Sequence, residues 1–211
     1  MDGVLCDSEP LIAEAACRMF AERHGVRVTP ADFHPFVGTG EDRYLGGVAE
    51  KYGVTLQRPG DKARVYEIYL ELIPGRLRPL PGVTAFIASA RAAGWRLAVA
   101  TSADRIKMDG NLREIGLPAK TFDAVVTGED IEHKKPAPDI FLLAARRIGV
   151  PPERCVVVED AVSGVTAAKA AGARCLGLTG SYPAAALRAA GADWTADGLD
   201  RVTPSLFDAL P

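Results

Sequence analysis

Four short stretches carry side chains that can do chemistry together: Asp2-Gly3, Thr101-Ser102, Lys134-Lys135-Pro136 and Glu159-Asp160. Asp2 precedes a glycine, so its carboxylate sits where the backbone can turn sharply and pass close to a ligand. Glu159-Asp160 follows the apolar run 155–158. Adjacent acids at a strand end repel each other unless a cation lies between them. Mg²⁺ suits that position, because it takes oxygen ligands and keeps water and phosphate in its shell. An ordinary helix N-terminus would favour the same acids. Thr101-Ser102 either caps the helix beginning near Asp104 or binds an anion there, and a helix start bearing hydroxyls can do both. Lys134 and Lys135 read as solvated lysines until the prolines are counted. Lys135-Pro136-Ala137-Pro138-Asp139 is a stiffened loop that pre-sets a helix start. Together these stretches supply acids, hydroxyls and a cation.

The elements that must position these groups fall into two kinds. Residues 9–24 show helical spacing, with Leu11, Ala15, Met19 and Ile12, Ala16, Phe20 on one side and Gly25 to end it. Ser8 is the candidate N-cap, Glu9 favours the positive end of the helix, and Pro10 is tolerated in the first turn. A short helical piece runs from Thr29-Pro30 to Phe36, a loop follows at 37–40, and helices at 41–52 and 59–73 complete a segment without a convincing strand. Pro79-Leu80-Pro81-Gly82 marks a boundary. Beyond it, apolar runs at 97–100, 124–126, 155–158 and 175–178 alternate with helices at 83–93, 104–115, 138–148, 163–171 and 183–190. Runs apolar on both faces, alternating with helices, predict an α/β fold with a doubly wound, Rossmann-like parallel sheet. In such a sheet, sites lie beyond the carboxyl ends of the strands. Thr101-Ser102, the 127–135 loop and Glu159-Asp160 all fall there.

Of the 211 residues, 48% are hydrophobic and 25% charged, enough for a substantial core and not a disordered composition. The net charge of −2 and the lack of a basic stripe argue against nucleic acid as a partner. No apolar run approaches the roughly 20 residues of a membrane span. Cys6, Cys17, Cys155 and Cys175 form no C-x-x-C pair, and His24, His34 and His133 lack zinc-ligand spacing. Free thiols and no visible signal peptide place the protein in a reducing cytoplasm.

Together these stretches resemble the haloacid dehalogenase-like (HAD) hydrolase superfamily, in its phosphoglycolate phosphatase and β-phosphoglucomutase-like branch. The resemblance implies a catalytic core at 1–8 and 79–211 and an inserted, all-helical cap domain at 9–78. It implies a Mg²⁺-dependent phosphatase that hydrolyses a small phosphorylated metabolite through an aspartyl phosphate. Asp160 would be a direct metal ligand, Glu159 a direct or water-mediated one, and Asp2 would add its backbone carbonyl. Thr101 would hold the transferring phosphoryl group with help from Ser102, Lys135 would neutralise charge, and Asp2 would be the general acid and base. Gly3 would lie against the phosphate. The loop at 37–43 matches the cap's substrate-specificity loop, where Arg43 could meet an anionic substrate.

Two departures from the family pattern matter. The family's nucleophilic aspartate falls one position before Met1, so the expectation is a chain without its nucleophile and most of its first strand, inactive as it stands. A non-catalytic phosphate- or Mg²⁺-binding domain is therefore an alternative. Against a phosphomutase, Ile12 stands where that group carries a proton-shuttling histidine, and Gly40 where it carries a phosphate-gripping arginine. Residues 36–47 and 100–107 also resemble the HAD domain of larger proteins with thioredoxin-like and NHL-repeat domains.

Overall fold

The computed structural model of the protein describes residues 1–38 and 40–207. Its first part is helical. Helix α1 (Glu9–His24) ends on Gly25 in the left-handed conformation, and α2 (Glu41–Tyr52) ends the same way on Gly53. A 3₁₀ segment, Pro30–Phe36, is opened by a reciprocal cap between Thr29 and Asp32. Helix α3 (Gly60–Leu72) packs along α1 and reaches α5 (Arg105–Glu114). Ser8 does not cap α1 with its side chain; its hydroxyl donates to the Asp2 carboxylate instead. Likewise α5 starts from Asp104, not from Thr101 or Ser102.

The second part alternates strand and helix. After α4 (Val83–Ala92) come β1 (Ala98–Ala100), α5, β2 (Ala124–Val126), α6 (Asp139–Ile148), β3 (Val156–Glu159), α7 (Val162–Ala170), β4 (Arg174–Leu178), α8 (Ala184–Ala189) and β5 (Trp194–Ala196). All pairings are parallel: β1 with β2, β3 with β4, and β4 with β5. Strand β5 was not expected from the sequence, because Trp194-Thr195-Ala196 is too short to show a pattern. Neighbouring residues of a strand face opposite ways. In β3, Val157 joins a core with α6, α7 and α8, while Val156 and Val158 join the other core, shared with the helical part. Cys175 and Leu176 of β4 divide in the same way. Helices thus cover both faces, as in a doubly wound α/β fold.

The sheet is split. The β2–β1 pair and the β3–β4–β5 group form no ladder with each other among the described residues. Between them lies an apolar cleft of about 540 Å³, walled by Ala98, Val99 and Ala100 on one side and Val156, Val157 and Val158 on the other, with Met1, Val4 and Leu5 at its edge.

The helical part is pinned by a buried acid. Asp61 on α3 is 1% exposed and accepts hydrogen bonds from His24 Nε2 at 2.8 Å, the Gln57 amide at 2.7 Å and Arg23 at 3.3 Å. Burial alone would raise its pKa, but the Gln57 amide and the His24 and Arg23 partners outweigh that and hold it below the ordinary value. A depressed folded-state pKa stabilises the fold above the unfolded value of about 3.9 and loses that contribution as pH falls through the folded value. Asp61→Ala is expected to cost about 2–3 kcal/mol in urea unfolding at pH 7. The deficit should shrink as pH falls below that unfolded value; an undiminished deficit in strong acid would show that the carboxylate's charge is not the cause.

Candidate active site

The carboxyl ends of β1 and β3 and the turn at Met1–Cys6 meet at one cavity of about 110 Å³. Asp2, Gly3, Ser102, Asp160 and Ala161 line it from the strand side. Glu9, Ile12, Gly40, Glu41 and Tyr44 line it from the helical side, and Asp7 and, from α5, Lys107 complete the wall between the two parts. Asp2 is positioned by three donors to its Oδ1: the Ser8 hydroxyl, Asn111 Nδ2 at 3.2 Å and Lys107 Nζ at 3.5 Å. Burial would raise the Asp2 pKa, but Lys107, the amino terminus and the Ser8 hydrogen bond together keep it below the usual carboxylate range. Asp2 is therefore an anion in the free protein.

Asp160 and Glu159 point different ways. The Asp160 carboxylate lies under Gly3 and accepts a hydrogen bond from Ser181 at 2.5 Å. Burial, then the charge of Glu159, pushes its pKa up. Glu159 pairs with Lys135 and receives the Ala161 amide at 3.5 Å. Burial would raise Glu159, and Lys135 is the main influence that lowers it. The glycines are sterically required. A Cβ on Gly3, whose φ is +68°, would stand 2.0 Å from Asp160 Oδ2, and one on Gly164 would stand 2.2 Å from the Glu159 carboxylate. Thr101 is buried at the end of β1, and its Oγ1 accepts the Ala103 amide at 3.2 Å. Lys135 also lies 5.1 Å from the Phe141 ring centroid, while Lys134 bonds the Gly128 carbonyl.

The structure thus gathers Asp2, Gly3, Ser102 and Asp160 on one cavity; Thr101, Lys135 and Glu159 are not among its lining residues, although Thr101 and Glu159 each precede one in sequence. It does not bring Arg43 there. Arg43 is exposed, bonds Glu50 at 2.9 and 3.0 Å and lies 5.0 Å from the Phe36 ring centroid. Facing outward from α2, it follows the helix surface away from the loop. Thr39, in the same loop, lies outside the described residues.

Sequence reasoning missed Lys107 and Asn111, which are 4% and 0% exposed on α5. Lys107 Nζ reaches Glu41 Oε1 at 3.4 Å as well as Asp2. Burial would lower its pKa, yet Asp2, Glu41 and Glu9 raise it well above the ordinary lysine value. The available signal was two polar residues four apart, on one helix face with Met108 and Leu112 nearby; that spacing suits a solvated face equally well.

No group of three or more His, Cys, Asp or Glu side chains forms a metal cluster among the described residues. Asp160 alone still fits a hard cation: it is a buried carboxylate of raised pKa with a serine as hydrogen-bond partner, in a cradle that a Cβ would fill.

A family model described as a haloacid dehalogenase-like hydrolase matches residues 1–172. The chain is 45% identical over 206 residues to the SUPPRESSOR OF QUENCHING 1 protein of Arabidopsis thaliana, a match covering 96% of this chain but only 19% of that protein. It is 37% identical over 172 residues to the phosphorylated carbohydrates phosphatase of Thermotoga maritima, covering 82% of this chain and 79% of the relative. Among solved structures, CbbY from Rhodobacter sphaeroides in complex with phosphate superposes with a TM-score of 0.85 at 29% identity, covering 99% of this chain and 96% of that one.

Lys107→Met is expected to destabilise the protein by about 3 kcal/mol, because it leaves Asp2 and Glu41 as buried acids without their cation. Urea unfolding measures this, and a loss below about 0.5 kcal/mol would mean the pair contributes little.

Proposed function

Since the chain belongs to the haloacid dehalogenase-like hydrolases, we propose that it carries the site of a Mg²⁺-dependent phosphatase acting on a small phosphorylated metabolite. The observation that carries this reading is the meeting of Asp2, Ser102 and Asp160 at one cavity beyond parallel strands. In this reading residues 1–8 and 79–211 are the catalytic core, and 9–78 are a cap that excludes water. Asp160 would hold Mg²⁺ directly, with the Asp2 carbonyl. Glu159, whose carboxylate is committed to Lys135, would act through water. The metal would supply charge to offset the phosphoryl oxygens. Thr101 and Ser102 would position the phosphoryl group, Gly3 would let it approach, and Lys135 would balance its charge. The four cysteines are free, which suits a reducing compartment such as the cytoplasm.

Asp2 would be the acid and base. Its depressed pKa leaves it deprotonated, the form a base needs, in the free protein, and a dianionic phosphate beside it would raise its proton affinity and so let it both accept and donate a proton. Ile12 lines the cavity with no titratable group, which favours hydrolysis over a mutase reaction needing a proton shuttle there.

The nucleophile would be an aspartate ending a further strand that precedes Met1. The cleft between β1 and β3 supports this. Its walls are two parallel strand edges with no ladder between them, and buried backbone groups without partners are costly. A strand entering there and continuing into Met1 would deliver its last residue beside Asp2.

With Mg²⁺, a version extended by the residues encoded upstream should hydrolyse p-nitrophenyl phosphate, and the chain as given should not. In the extended version, Asp160→Ala should slow turnover roughly 10²-fold, and Asp2→Asn by about 10²–10⁴-fold. An Asp160→Ala rate equal to that of the parent would remove the metal assignment. Turnover by the unextended chain would point to another nucleophile.

A further inference from the structure

The helical side of the cavity holds a buried carboxylate oxygen that nothing satisfies. Glu41 is 8% exposed and lines the cavity, and its Oε2 has no hydrogen-bond partner. Lys107 Nζ approaches only its other oxygen, Oε1, at 3.4 Å. Tyr44 lies three residues further along α2, so it shares a helix face with Glu41. It is 5% exposed, lines the same cavity, and its hydroxyl is also unpaired. Stacking on Phe33, with centroids 4.7 Å apart, fixes its ring. Buried polar atoms are paired in the great majority of cases, and an unpaired one costs most of its desolvation.

Negative charge exceeds positive charge around these two atoms. Asp2, Asp7, Glu9 and Glu41 line this part of the cavity, where Lys107 is the one lysine among the described lining residues and arginine is absent. Lys107 is already shared between Asp2 and Glu41. Burial, with the charges of Asp2 and Glu41 adding to it, pushes the Glu9 pKa up to about 7 against the pull of Lys107. Burial raises the Glu41 pKa as well. Burial and then the charge of Glu9 raise the Tyr44 pKa, which keeps the phenol neutral and able to accept. A second phosphate or a carboxylate would meet like charge here. A hydroxyl would supply a donor but leave the charge unbalanced. A metal ion suits the place poorly, because no group of three or more His, Cys, Asp or Glu side chains converges among the described residues. An ammonium group brings one positive charge and three N–H donors on a single atom.

We propose that the helical side of the cavity binds a primary ammonium group carried by a short-chain phosphomonoester, with Glu41 Oε2 accepting one N–H and the Tyr44 hydroxyl another. Glu9 adds negative charge beside them. This inference rests on the phosphate reading of the strand side given above. Hydrogen bonds between ionised partners are about twice as strong as neutral ones. A site built around a buried acceptor also discriminates strongly, because an analogue without the donor and the charge leaves that acceptor unpaired. The cavity, about 110 Å³, is well below the roughly 300–1,000 Å³ of drug-sized pockets, which suits a chain of a few atoms.

Calorimetric titration of the chain as it stands, with Mg²⁺ at pH 7.5, separates the two readings. The probes are inorganic phosphate and three phosphomonoesters of one length: phosphoethanolamine, 2-hydroxyethyl phosphate and 2-phosphoglycolate. They end in an ammonium, a hydroxyl and a carboxylate. Phosphoethanolamine should bind about 10-fold or more tighter than 2-hydroxyethyl phosphate, and 2-phosphoglycolate should bind weakest of the three. In Glu41→Gln the preference for ammonium over hydroxyl should fall to about 2-fold or less. In Tyr44→Phe, which keeps the ring on Phe33, it should fall about 3-fold. Each preference is a ratio measured within one variant, so a loss of folded protein does not change it. If inorganic phosphate binds but the ammonium probe has no advantage over the hydroxyl probe, or if Glu41→Gln keeps the parental ratio, this proposal is overturned while the phosphate reading stands. If inorganic phosphate does not bind at all, both fall.

Discussion

A single buried cation ties this molecule together. Lys107 comes from α5 in the α/β part, Glu41 from the start of α2 in the helical part, and Asp2 from the first turn of the chain. Few residues could replace it, since removing the ammonium would strand two carboxylates in a poorly solvated place. Asn111, one turn further along α5, extends the same arrangement. It donates to Asp2 and accepts from Tyr69 of α3 at 2.6 Å. The helical part is thus joined to the strands by charge and hydrogen bonds at the cavity itself, as well as by apolar packing.

Electrostatic balance then divides the cavity into two chemistries. On the strand side, Glu159 is matched by Lys135. Asp160's hydrogen-bond partner is the Ser181 hydroxyl, and burial together with the charge of Glu159 pushes its pKa up. Among the described residues lining the cavity, Lys107 is the one lysine, and it is shared by Asp2 and Glu41. The same closeness that makes the strand side work restricts it sterically: Gly3 and Gly164 leave just the room that the two carboxylates occupy.

Between β1 and β3 the described residues form no ladder, so two parallel groups of strands flank an apolar cleft. Each half-sheet is internally regular, with in-register parallel pairing, and each keeps helices on its faces. The apolar side chains of Val99, Val156 and Val158 nonetheless border an open cleft rather than a neighbouring strand. The turn Met1–Cys6 lies at its edge, bridged to the sheet side through Cys6 and Pro79.

Much of this was legible along the chain. Apolar runs, glycine stops and proline starts are local signals, and they marked α1, α2, α6, β1 to β4 and the acid, hydroxyl and lysine at the strand ends to within a residue or two. What tertiary structure alone decided is which polar side chains face inward. Lys107, Asn111, Glu41 and Tyr44 look like solvent-facing or core residues in sequence, because their roles come from partners 11 to 109 positions away. Arg43 looked like an anion ligand for the complementary reason: its loop position was readable, but its direction was set by Glu50 and the Phe36 ring. A residue's chemistry is written in its own type, whereas its direction and charge state depend on neighbours that only folding supplies.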